Sequence, residues 1–184
     1  MPSTINDGFM DEQKKWAEGY PYVGGMMHVV PVKLLTHMEI YRFATAGSPQ
    51  DDLYREAWWI GVSAYSGLEA LAPNASSRLR QEARARLAVV SERNEMNLLV
   101  HARVRQPLSA WCGTPRAARI YSSDRHYVGN AMGPDRSFTQ LYIPGLCSKL
   151  TFYNQDNHKY ESRTVQCIPD WRKALEQASI PKPL

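Results

Sequence analysis

The chain reads as a single compact α+β domain, and three observations predict it. Segments with a period of two lie on both sides of a pair of helix-like segments, turn signals separate them at short intervals, and 184 residues suit one core better than two. The order of strands, then two central helices, then mostly strands points to a mixed or antiparallel sheet. A closing helix is expected at Asp170 to Ala178.

Residues 1–25 are polar and glycine-containing, with Trp16, Tyr20 and Tyr22 near their end. They read as an N-terminal arm that docks through its aromatics, which leaves residues 26–184 for the domain proper. Met27 to Leu35 looks like an edge strand, because Pro31 has no N–H to give a central ladder. The next run, Glu39 to Thr45, carries Ile40, Phe43 and Ala44 and is closed by Gly47, Ser48 and Pro49, so Arg42 should sit on a core strand. An arginine held there is a fixed cation that needs a partner, either an internal carboxylate or the phosphate of a ligand.

Gly47 to Tyr54 reads as a loop. A short strand or turn follows at Trp58 and Trp59, then a helix through Leu68 and Leu71 that ends before Pro73. Asn74, Ser76 and Ser77 are cap candidates for a second helix, on which Leu79, Ala83, Leu87 and Val90 share one face. Between Asn97 and Arg105 the apolar set Leu98, Val100, Ala102 and Val104 alternates with Leu99, His101, Arg103 and Arg105, the signature of a strand with one wet face. Further short strands are expected at Leu108 to Cys112, Ala118 to Tyr121, Thr139 to Ile143, Lys149 to Tyr153 and Arg163 to Ile168.

Composition excludes some classes and leaves others open. No apolar run approaches membrane-spanning length and the N-terminus is polar, so a soluble, cytoplasmic protein is expected. Three widely spaced cysteines make neither a disulfide framework nor a zinc site. A formal charge of +4 and a pI near 9.0 give a modest preference for anionic partners. Arg78, Arg80, Arg84 and Arg86, with Arg103 and Arg105, could form a nucleic-acid or nucleotide surface, although solvated faces account for them more simply. No Gly-rich phosphate loop, metal-ligand spacing or nucleophile elbow is present; Asp124-Arg125-His126 is a loop candidate for contacting a ligand or partner.

The run Ile40-Tyr41-Arg42-Phe43-Ala44-Thr45-Ala46-Gly47-Ser48-Pro49 resembles the first block of mono-ADP-ribosyltransferase toxins of the cholera and pertussis type, the Arg-Ser-Glu class. The resemblance implies an NAD-dependent mono-ADP-ribosyltransferase or NAD glycohydrolase, a bacterial toxin, effector or defence protein, with NAD as substrate and a protein or nucleic-acid acceptor. It implies that Arg42, beside Tyr41, holds the phosphates of NAD. The family's second block is a strand carrying hydroxyls before a helix. Trp58 to Tyr65 stands in that place, with Ser63 as its hydroxyl and Trp59 and Tyr65 as flat surfaces for nicotinamide.

The third block is a catalytic glutamate shortly before an apolar-Pro pair, and the chain offers two registers. Glu161 precedes Ile168-Pro169 and supplies a carboxylate, whereas Gln140 precedes Ile143-Pro144 and supplies a neutral amide. Glutamate both hydrogen-bonds the ribose and stabilises the positive charge that develops as the glycosidic bond breaks; glutamine can do only the first. The alternative class is a non-enzymatic binding module that uses an aromatic and arginine surface. The position of the Arg42 guanidinium discriminates between the two.

Overall fold

Runs of mostly buried residues build the sheet at its centre. In the computed structural model, which describes residues 4–19, 24–89, 94–121, 127–130, 135–154 and 159–184, a 3-10 turn at Asp7–Phe9 leads into helix α1 (Met10–Glu18). Strands β1 (Met26–Leu34) and β2 (Glu39–Ala44) follow, then a five-residue helix α2 (Gln50–Tyr54), strand β3 (Trp58–Gly61), and helices α3 (Val62–Leu71) and α4 (Ser76–Arg86). The second half holds β4 (Leu98–Val104), β5 (Leu108–Pro115), β6 (Arg119–Tyr121), β7 (Tyr127–Asn130), β8 (Gln140–Tyr142), β9 (Lys149–Asn154) and β10 (Lys159–Thr164). A 3-10 turn at Trp171–Lys173, β11 (Leu175–Gln177) and β12 (Lys182–Pro183) close the chain.

The main sheet runs β1-β5-β8-β3-β2-β4-β11, with β12 also on β4, and every pairing in it is antiparallel. β9 with β10, and β6 with β7, form two separate hairpins. β1 is an edge strand and carries Pro31, as its missing N–H requires. On β4, Val100, Ala102 and Val104 are fully buried while His101 and Arg103 keep partial exposure, but Leu99, expected on the wet face, is buried in the layer of α3 and α4, so the period of two holds only from Val100 onward.

Two layers cover the sheet. On one, Ile40, Ala44, Trp59, Val100, Ala102 and Leu141 pack with Leu53 and Tyr54 of α2 and with Trp171 and Leu175. On the other, Phe43, Ile60 and Leu99 pack with Ala64 and Leu68 of α3 and Leu79 and Ala83 of α4. The helical period of α4 therefore buries the face the sequence indicated, although its N-cap is Ala75 with no side-chain cap, and Val90 lies outside the described residues.

Three segments depart from expectation. Gly47 to Tyr54 contains α2, a helix too short to be stable alone, which is held by its neighbours. The strand expected at Arg163 to Ile168 is displaced to Lys159–Thr164. There β9 supplies a partner for every residue, while Val165 and Ile168 make only isolated bonds to Ser148 and Gly145. The closing helix expected over Asp170 to Ala178 is a 3-10 turn followed by β11. Asp170 caps the turn through Arg172 N–H at 3.1 Å, and the backbone from Leu175 to Gln177 is satisfied on the edge of β4 instead of within a helix.

The N-terminal segment is tied into the sheet by side-chain amides. Asn6 is fully buried; its Nδ2 donates to the carbonyls of Ser109 (2.7 Å) and Pro144 (2.9 Å) and its Oδ1 accepts from Ser109 N–H (2.8 Å). Gln13, also buried, accepts from Gly145 N–H (3.1 Å) and Tyr142 O–H (3.3 Å). Both residues thus fix the Pro144-Gly145 turn that ends β8. Each would be a costly orphan if its partner moved.

Candidate active site around Arg42

β2 places Arg42 in the centre of the sheet, on the layer of Trp59 and α2. Its side chain is only 9% exposed. Nη1 donates to the carbonyl of Leu53 at 2.7 Å and to that of Asp52 at 3.3 Å, two of the orphan carbonyls at the end of α2. The guanidinium carbon lies 5.8 Å from the Trp59 ring centroid, and Trp59 is itself oriented by Nε1–H donating to the Glu56 carbonyl at 2.7 Å. Burial pushes the guanidinium pKa down, opposed by the nearby Glu56 carboxylate and Cys147. Arg42 Nε is buried and has no hydrogen-bond partner.

The far side of α2 is held by the C-terminal turn. Asp51 accepts from Trp171 Nε1–H (3.2 Å) and from Arg172 Nη2 (2.7 Å), which together keep its carboxyl below the usual range. Tyr54 lies fully buried between Trp171, on which it stacks at 4.5 Å, and Trp59 at 6.5 Å. Its hydroxyl has no hydrogen-bond partner, and burial raises its pKa.

Tyr41 projects from the neighbouring position of β2 to the opposite layer. It stacks on Tyr65 of α3 at 4.0 Å and on His101 of β4 at 4.4 Å, forming a three-ring stack. Acids and bases bracket that stack. Glu39 meets Arg103 at 3.3 Å and His101 at 3.5 Å, and its pKa is lowered first by the Arg103 hydrogen bond. Tyr65 O–H donates to Glu69 at 2.6 Å; burial, and then this bond, raises its pKa. Ser63 sits exposed in the first turn of α3.

The two registers separate in space. Gln140 begins β8, which pairs with β3, which pairs with β2, so the strands of Arg42, Trp59 and Gln140 lie side by side in one sheet. Glu161 pairs with Phe152 in the β9–β10 hairpin, outside that sheet. Gln140 is 8% exposed, and its Nε2 donates to the carbonyl of Leu87, the C-cap of α4, at 3.0 Å. It therefore leaves the sheet toward α4, whereas Arg42 leaves it toward α2.

No family model matches the chain, and no curated protein matches it. A solved complex, described as Rhs1-CT with its cognate immunity protein RhsI1, contains a chain of 12% identity and TM-score 0.49, with 96% of each chain covered.

The expected site residues lie on β2, β3 and α3 but on opposite faces of the sheet: Arg42 and Trp59 face α2, whereas Tyr41 stacks on Tyr65 on the α3 face and Ser63 is exposed. Sequence reasoning missed Tyr54 and His101. Tyr54 had a signal in the helical turn Gln50-Asp51-Asp52-Leu53, which a loop assignment hid, whereas His101 joins its stack through sheet register alone. Most of the arginines considered for a basic surface have internal partners. Arg84 donates to the Asn94 and Glu95 carbonyls at 3.0 and 2.8 Å, and Arg86 pairs with Glu82 and Asp135. Arg103 bridges Glu39 and Glu176. Asp124-Arg125-His126 lies outside the described residues. Among the described residues no cluster of side chains suits a metal ion, and no helix is long and apolar enough to cross a membrane.

Proposed function

We propose that the chain is an NAD-binding domain of mono-ADP-ribosyltransferase type in which Arg42 and Trp59 hold NAD on the α2 face of the sheet. The observation that carries this reading is the adjacency of β2 and β3, which sets the Arg42 guanidinium beside the Trp59 ring. Arg42 offers the Nε side of its fork to phosphate oxygens, while Nη1 stays on α2. The reaction breaks the bond between ribose C1′ and nicotinamide nitrogen. The electron pair leaves with nicotinamide, and an acceptor or water bonds C1′ and gives up a proton. Gln140 leaves the sheet on the opposite face, toward α4, so that register brings no side chain to the ribose and turnover should be slow.

Glu161 lies on a hairpin outside that sheet and is expected to have no part in the chemistry. Glu161→Gln should leave the rate of nicotinamide release from NAD within about twofold of the parent, measured by chromatography of the released base. A loss of a hundredfold or more would assign catalysis to Glu161.

The binding-module reading keeps one specific support. Arg42 already satisfies two backbone carbonyls, a role that needs no ligand. On that reading the Tyr41-Tyr65-His101 stack with Glu39 and Arg103 would be the partner surface.

A further inference from the structure

The layer around Trp59 holds two buried donors with nothing to donate to: Nε of Arg42 and the hydroxyl of Tyr54. Both belong to side chains at least nine-tenths buried, both side chains adjoin the Trp59 ring, and Arg42 grips the backbone at Asp52 and Leu53, immediately before Tyr54. Orphaned buried donors are rare because each forfeits its bonds to water, and a charged one forfeits more. Both of these adjoin one aromatic ring, and an acceptor set beside it would satisfy them. The Glu56 carboxylate acts on Arg42 only through space and, among the described residues, no carboxylate bonds it, so a compact, oxygen-rich anion suits the pair. A phosphate oxygen meets these conditions.

We infer that Tyr54 Oη and Arg42 Nε form a donor pair for one phosphate group of the bound ligand, with Tyr54 entering from α2 as a binding residue. The inference rests on the reading of Arg42 as a phosphate ligand and adds a residue to it. It also gives α2 a purpose: the contacts of Asp51 with Trp171 and Arg172, and of Arg42 with the helix carbonyls, hold Tyr54 in place before ligand arrives.

Tyr54→Phe removes the hydroxyl and keeps the ring stacked on Trp171. An orphaned hydroxyl costs stability, so the ligand-free variant should melt at the same temperature as the parent or about 2 °C higher. Its affinity for NAD and for inorganic pyrophosphate, measured by calorimetry, should fall roughly tenfold or more, the weight of a hydrogen bond to a charged group. Weakened binding of pyrophosphate alone, with no NAD binding by the parent, would uphold the donor pair and sink the NAD reading. Equal affinities in parent and variant would overturn the role of Tyr54 and leave the NAD reading standing. A lower melting temperature with unchanged affinity would show that the hydroxyl serves a buried water, and would also overturn it. Binding of neither probe by the parent would remove both claims.

Discussion

Arg42→Ala should lose about 3 kcal/mol of stability, seen as a fall in melting temperature of roughly 6–12 °C for a chain of this length. Two opposing effects set that figure. Removing a desolvated guanidinium recovers part of its burial cost, but it strands the carbonyls of Leu53 and Asp52 and leaves a cavity against Trp59. The stranded carbonyls and the cavity dominate, because α2 has five residues and no other side-chain anchor on those carbonyls among the described residues. Arg42→Lys separates structure from ligand binding. An ammonium can reach one helix carbonyl and keep about half of the stability, but it has no planar fork for phosphate, so NAD affinity should fall by at least tenfold. Full NAD binding by the lysine variant would reduce Arg42 to a structural residue.

Gln140→Glu should leave nicotinamide release within about twofold of the parent, because the new carboxylate would face α4, across the sheet from Arg42. The same change should cost about 2 kcal/mol, since a carboxylate cannot donate to the Leu87 carbonyl as the amide does. The pH dependence follows from that lost donor. Burial beside a carbonyl raises the folded-state pKa of the new carboxyl above its unfolded value. Its protonated form can donate to Leu87, so stability is retained at low pH and is lost as pH rises through the raised pKa. A gain of about a hundredfold in nicotinamide release by the variant at pH 8 would instead place the Gln140 position in the active site.

The parts of the fold legible in the sequence were those set by local pattern. Val100 to Val104 alternates, Trp58 to Leu71 passes from strand to helix at the glycine, and Leu79 and Ala83 mark the buried face of α4. The closing segment was misread because Trp171, Ala174 and Leu175 have helical spacing, yet the open edge of β4 offered their backbone a better set of partners. The site was legible as a list of residues and illegible as an arrangement. Arg42 showed that it needed a partner, but a backbone carbonyl on α2 leaves no trace in a side-chain pattern. Glu161 and Gln140 competed as registers until sheet topology put one on a separate hairpin and the other two strands from Arg42, on the opposite face.

Calorimetric titration of NAD into the full chain, with Arg42→Lys alongside, tests most directly whether β2 and β3 frame an NAD site. The expected result is saturable one-to-one binding by the parent and at least tenfold weaker binding by the lysine variant. No binding heat at millimolar NAD, or equal affinity of the two proteins, would contradict it.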